Sequence, residues 1–189
     1  MTLLGVHSGS GCACVTIGAA AGTILAAWAF LMLGPAAGLQ RSAGQRLPES
    51  RLRGYDAWDL EDFLRRAGAG ARDLYRRELL WGLGFAVVYG IGLTLVLAGT
   101  WGRVLGPGHS VLEWVVIVPA VAAAAADLIE NVLLLQIANP GTEGPALRQP
   151  DLVGAASWTS RIKWSLVALT LLAIAGGAVT LAFSGTNRF

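Results

Sequence analysis

Four long apolar stretches, separated by one charged loop and two short connections, organise the chain. The first runs from about Cys14 to Leu39 without a charge, and a second lies between Glu78 and Arg103. A third, from about Val111 to Ala138, is interrupted by Asp127 and Glu130, and a fourth lies between Lys163 and Arg188. Each meets the about 20 residues that a transmembrane helix needs. They are too long for ordinary buried strands, and no period-two alternation suggests a membrane β-barrel. The pattern predicts an all-α bundle of four transmembrane helices at about 14–39, 79–102, 111–138 and 153–184, in one domain covering residues 1–189.

The loop at 40–78 carries a pattern of its own. Asp56 can cap a short helix running to about Ala67, with Leu60, Phe63, Leu64 and Ala67 on one face. Asp59, Glu61 and Asp62 fall in its first turns and Arg65 and Arg66 in its last, which complements the helix dipole. Gly68 and Gly70 punctuate its end. This amphipathic helix is expected to lie along the inner membrane surface or to cap the bundle. The D-x-E-D spacing of its acids also suits Mg²⁺-diphosphate binding, but the dipole accounts for it without a metal. From Ala71 a further helix continues into the second span, with Arg72, Tyr75, Arg76 and Leu79 at helical spacing. Arg72 and Arg76 share a face there, either as a phosphate clamp at the rim or as snorkelling arginines.

Composition turns these helices into membrane helices. Hydrophobic residues make up 54% and charged residues 14% of the 189 residues, with a mean hydropathy of +0.59. Soluble domains carry about 25% charged residues. The net charge of +2 matters less than its distribution. Nine arginines lie between Gln40 and Glu78, and Arg148, Arg161 and Lys163 lie between the third and fourth stretches; only Arg103 and Arg188 fall elsewhere. By the positive-inside rule the loop faces the cytoplasm and both termini face outside, in a multi-pass protein of a bacterial inner membrane. Trp81 and Trp164 fall near the expected inner boundary and Trp101 and Trp114 near the outer one. Trp28 falls mid-span, where it packs between helices or lines a cavity. Lipid is thus an expected partner, and nothing points to nucleic acid; the oligomeric state is left open.

Cofactor chemistry finds little support. Cys12 and Cys14 are the only cysteines, and a C-x-C pair alone makes neither a self-closing disulfide nor a zinc site. His7 and His109 fall outside the apolar cores, so no helix offers paired imidazoles for haem. No metal and no cofactor are expected.

The charged residues inside the third stretch carry the candidate chemistry. Asp127 and Glu130 are three apart, and Asp127 and Asn131 four apart, so all three share one face of a helix. Asp127 lies roughly 16 Å from the helix end near Ala138, close to the middle of a ~30 Å hydrocarbon core. Placing an acid there costs about 2.5–3.5 kcal/mol on insertion scales, so a partner is required. A fourth helix beginning near Asp151 carries Lys163, the only lysine, to roughly 18 Å, the same height. Lys163 is therefore expected to pair with Asp127 or Glu130, with Arg161 nearer the inner rim on another face. Tyr89, near the middle of the second span, is a candidate partner for the acids. Gly18 with Gly22, Gly90 with Gly92, Gly176 with Gly177, and the alanines 122–126 offer small surfaces for close helix approach or room for a ligand.

The Asp-x-x-Glu-Asn motif at Asp127, Glu130 and Asn131 resembles that of a group of small bacterial four-helix membrane proteins. The likeness extends to Gly70-x-Arg72-x-x-Tyr75 at the entry to the second helix and to the basic residue early in the fourth, and covers most of residues 55–183. By size and logic the chain also resembles small membrane-bound terpene cyclases, which use acids in helices as proton donors. That resemblance implies isoprenoid biosynthesis, with Asp127, Glu130, Asn131 and Lys163 as the catalytic set. Trp28, Arg72, Tyr75, Tyr89 and Trp158 would then meet a lipophilic, prenylated substrate. Two alternatives stand beside it. One is a proton-coupled transporter or its subunit, since a midplane carboxylate paired with lysine also builds proton relays. The other is an assembly protein whose polar network only fixes helix register.

Overall fold

The computed structural model describes residues 18–20, 22–27, 29, 34, 36–68, 70–106, 110–138 and 145–186. Those residues are almost entirely helical, without strands. Helix α1 spans Ala36–Ala43, α2 Ala57–Ala67, α3 Ala71–Leu105, α4 Ser110–Ile137, α5 Pro145–Arg148 and α6 Pro150–Thr186, and a 3₁₀ turn covers Pro48–Ser50. Three helices are long and apolar enough to cross a membrane: Ala71–Leu105, Trp114–Ile137 and Pro150–Phe183. The first expected span is described only in part, as a short apolar helix at Gly18–Ala27. Leu39, expected as the end of that span, lies in the separate helix α1 and is buried in the loop cluster. Cys12, Cys14, Trp28, His7 and His109 lie outside the described residues.

Helix α4 is the centre of the bundle, packed along both α3 and α6, which touch each other less. Small residues set how closely the helices approach. A Cβ added to Gly90 would lie 2.5 Å from that of Ala124, and one added to Gly177 would lie 2.6 Å from Thr100 Cγ2. Gly92 is closed by Thr23 of the N-terminal segment. Gly18, Gly22 and Gly176 meet nothing in this way, so only part of the expected glycine surface is used for packing.

The loop folds as a cap over one end of the bundle. Asp56 has extended backbone and accepts from Asp59 N at 2.8 Å, while Asp59 Oδ2 accepts from Asp56 N at 3.1 Å, a reciprocal capping box that starts α2. Leu60, Phe63 and Leu64 then point inward, joining Leu39, Tyr75, Leu79, Leu134, Ile137 and Val153 in one buried cluster. Glu78 Oε2 accepts from Ala36 N at 2.8 Å, tying the start of α1 to α3. The acids of α2 each meet arginine: Asp59 pairs with Arg51 at 2.7 Å, Glu61 with Arg72 at 3.4 Å, and Asp62 with Arg65 and Arg66 at 2.6 Å. The two arginines hold the Asp62 carboxyl below its ordinary range through their hydrogen bonds.

Candidate functional site

Helix α4 presents Asp127, Glu130 and Asn131 to α6, and Lys163 answers from α6. Its ammonium donates to Glu130 Oε2 at 2.5 Å and to Asp127 Oδ1 at 3.0 Å. The pairing expected from equal depth is present, with both acids rather than one. Little of it is open: the side chains of Glu130, Lys163 and Asp127 keep 1%, 10% and 12% of their surface. Asn131 Nδ2 donates to Asp127 O at 2.8 Å and to Asp127 Oδ1 at 3.3 Å, which turns the carboxylate towards Lys163. Across the cluster, α3 gives way at Gly82, where a Cβ would lie 2.7 Å from Asn131 Oδ1. Ile129 and Val132 face outward at the same level, so the helix still presents an apolar face around its buried acids.

The loop cap completes the site with residues that the apolar pattern does not single out. Tyr55 Oη donates to Glu130 Oε1 at 3.2 Å, and its backbone N–H donates to Ser157 Oγ at 2.9 Å. This approach needs glycine beforehand: Gly54 has φ of +80°, and a Cβ there would lie 2.5 Å from Ser157 Oγ. Glu49, in the turn opened by Pro48, is strapped over α6 because its carbonyl accepts from Ser160 Oγ and Trp164 Nε1, both at 3.2 Å. The residue keeps some surface, but its carboxylate is enclosed and accepts from Tyr75 Oη at 2.9 Å. Burial pushes the Glu49 carboxyl up to about 7, the nearby Glu130 charge adds to this, and the Tyr75 hydrogen bond opposes it. The Tyr55 hydroxyl is raised as well, by burial first and by the Glu130 and Glu49 charges next.

All three tyrosines of the chain therefore meet this polar core. Tyr89 Oη donates to Ala123 O at 3.1 Å and approaches the Asp127 carboxylate. Tyr75, expected as a substrate contact, donates its hydroxyl to Glu49. Arg72 is at the loop cap beside Glu61, away from Asp127. Trp158 is 65% exposed and lies under the Arg161 guanidinium, 5.4 Å from it, on the outer side of α6. Arg161 is exposed on a different face of α6 from the buried Lys163. Trp28 lies outside the described residues.

No protein-family model, curated protein or solved structure matches the chain. The chemistry must be read from the site itself. Two carboxyls, Asp127 and Glu130, bond one ammonium, and the Glu49 carboxylate lies close enough to feel the charge of Glu130. Acids thus outnumber the cation in this cluster. Glu49, Tyr55, Ser160 and Trp164 were not legible as site residues.

Proposed function

We propose that the chain is a membrane-embedded acid–base enzyme acting on a lipophilic substrate, with proton-initiated cyclisation of a prenyl chain as its reaction. The excess of carboxyl groups over the single lysine carries this reading. In it, four helices span a bacterial inner membrane, with both termini outside and the loop cap in the cytoplasm. Asp127 is the donor, because it keeps more open surface than the enclosed Glu130. A neutral carboxyl delivers its proton to an alkene carbon or an epoxide oxygen, and the resulting cation is attacked by another double bond of the chain. Loss of a proton from the cyclised cation to the Asp127 carboxylate restores the acid. Lys163 and Asn131 orient the donor, and the enclosed Glu49, its carboxyl raised by burial to about 7, holds a further proton beside Glu130. No metal or diphosphate chemistry is required.

The test is turnover of a prenylated epoxide or polyene in membranes holding the full chain. Asp127→Asn is expected to abolish cyclised product while expression and monodispersity stay unchanged. Full turnover by that variant would sink the proposal.

A second reading has its own observation: Lys163 bonds both acids and Asn131 bonds Asp127, so the cluster is internally satisfied. In that reading the network fixes helix register and nothing more. Unchanged stability and phenotype in Asp127→Leu would favour it.

A further inference from the structure

A cleft of about 500 Å³ opens at the loop end beside the acid cluster, lined in part by Tyr55, Trp58, Leu147, Gly154, Trp158 and Arg161. Its cation is held in place without being neutralised. The Arg161 guanidinium lies over the Trp158 ring, 5.4 Å from its centroid, and a Cβ on Gly54 would come within 2.5 Å of Arg161 Nε. Glycine at 54 thus leaves the slot in which this side chain rests. Arg161 forms no ion pair among the described residues, whereas Arg51, Arg65, Arg66 and Arg72 of the same end do. The one acid in the lining, Asp56, is turned to its own helix and accepts from Asp59 N at 2.8 Å.

The rim of the cleft is apolar and open. Trp58 is 72% and Trp158 65% exposed, and Leu147 is also exposed. A positioned guanidinium pairs well with phosphate oxygens. Indoles at the end of a membrane bundle sit at headgroup level, with their ring faces against hydrocarbon. A free phosphate ion would leave both indoles uncovered, and a neutral lipid would add no anion for Arg161. We propose that this cleft binds the phosphate head of an anionic amphiphile, with its chain running along Trp58 and Trp158. Tyr55 connects the two sites, since it lines the cleft and donates its hydroxyl to Glu130. The site depends on the cleft and its cation and not on proton transfer, so binding can be tested without turnover.

The experiment is native mass spectrometry of the full chain released from detergent, with phosphatidylglycerol and phosphatidylcholine of matched chains at equal concentration. Phosphatidylglycerol adducts are expected to exceed phosphatidylcholine adducts by about tenfold, the ratio set by roughly 1.4 kcal/mol of headgroup discrimination. Arg161→Gln should bring that ratio to about one, and Arg148→Gln, which removes another exposed arginine at this end, should keep it. Gly154→Leu tests the cleft by another route: Gly154 lines it, and a Cβ added there meets nothing within 4 Å, so the side chain starts into open space. It should remove the adducts while the melting temperature stays unchanged. Equal binding of the two lipids, a preference that survives Arg161→Gln or Gly154→Leu, or its loss in Arg148→Gln would each overturn the proposal. So would displacement of the lipid by millimolar inorganic phosphate, which would make this a soluble-anion site.

Discussion

The two ends of the bundle use the same three long helices but hold them together by different physics. At the far end Leu97, Ile117 and Ala120 pack with Leu93, Trp101 and Ile174, and the polar groups serve the backbone. Thr100 and Thr170 donate to the carbonyls of Val96 and Leu166 at 2.7 and 2.8 Å, and Trp101 Nε1 donates to Ala173 O at 3.0 Å. Lipid is as apolar as these side chains, so the far end gains only what close packing supplies. At the loop end the helices exchange charge, and a cap made from the loop encloses the exchange. Dispersion contacts tolerate small shifts along a helix. A lysine bonded to two carboxylates does not.

That contrast should break most visibly at Lys163. Lys163→Leu leaves two buried acids without their cation and should cost about 3–5 kcal/mol in a reversible denaturant titration in micelles. Replacing Asp127 and Glu130 by Leu in the same chain should recover most of that loss, because an apolar core of similar volume needs no partner. A triple variant as unstable as the single one would mean that packing, not charge, is what Lys163 supplies.

At the far end Leu97→Ala should cost about 2–4 kcal/mol by the same titration, with no dependence on pH. Gly90→Ala sharpens the comparison midway, since its Cβ would press on Ala124; about 1–3 kcal/mol is expected, with the Asp127–Lys163 pair left intact.

The smallest effect is the most specific to the loop end. Glu49 carries its proton up to about pH 7 in the folded chain, against an ordinary value of 4.5. Folded chain then binds more protons than unfolded chain between those limits, so this contribution to stability is present at low pH and falls as pH rises towards 7. Glu49→Gln removes the charge that burial penalises and should raise the melting temperature at pH 8 by roughly 3 °C, with little change at pH 5. Equal shifts at both pH values would show that Glu49 is held by contacts other than its proton.

Legibility followed the same division. The apolar periodicity, the Asp56 cap, the start of α3 at Ala71 and the pairing across α4 and α6 were all readable, because each depends on spacing within a helix or on rise along two helices. The first span was not: residues 36–39 are as apolar as those before them, and only packing shows that they turn into the cap. The roles of Glu49, Tyr55 and Ser160 were also hidden. An acid among arginines in a loop reads as solvated, and nothing in the local sequence states which helix a loop will cross.

The sequence by itself therefore determined the membrane helices, the shared face of Asp127, Glu130 and Asn131, and the height at which Lys163 meets them. Tertiary structure alone decided that the loop would close over that meeting point, adding a third carboxyl at Glu49 and a tyrosine at Tyr55. The physical reason is range. Helical spacing is a local property written every three or four residues, whereas Tyr55 and Glu130 are 75 residues apart and become neighbours only when the cap buries its own apolar face.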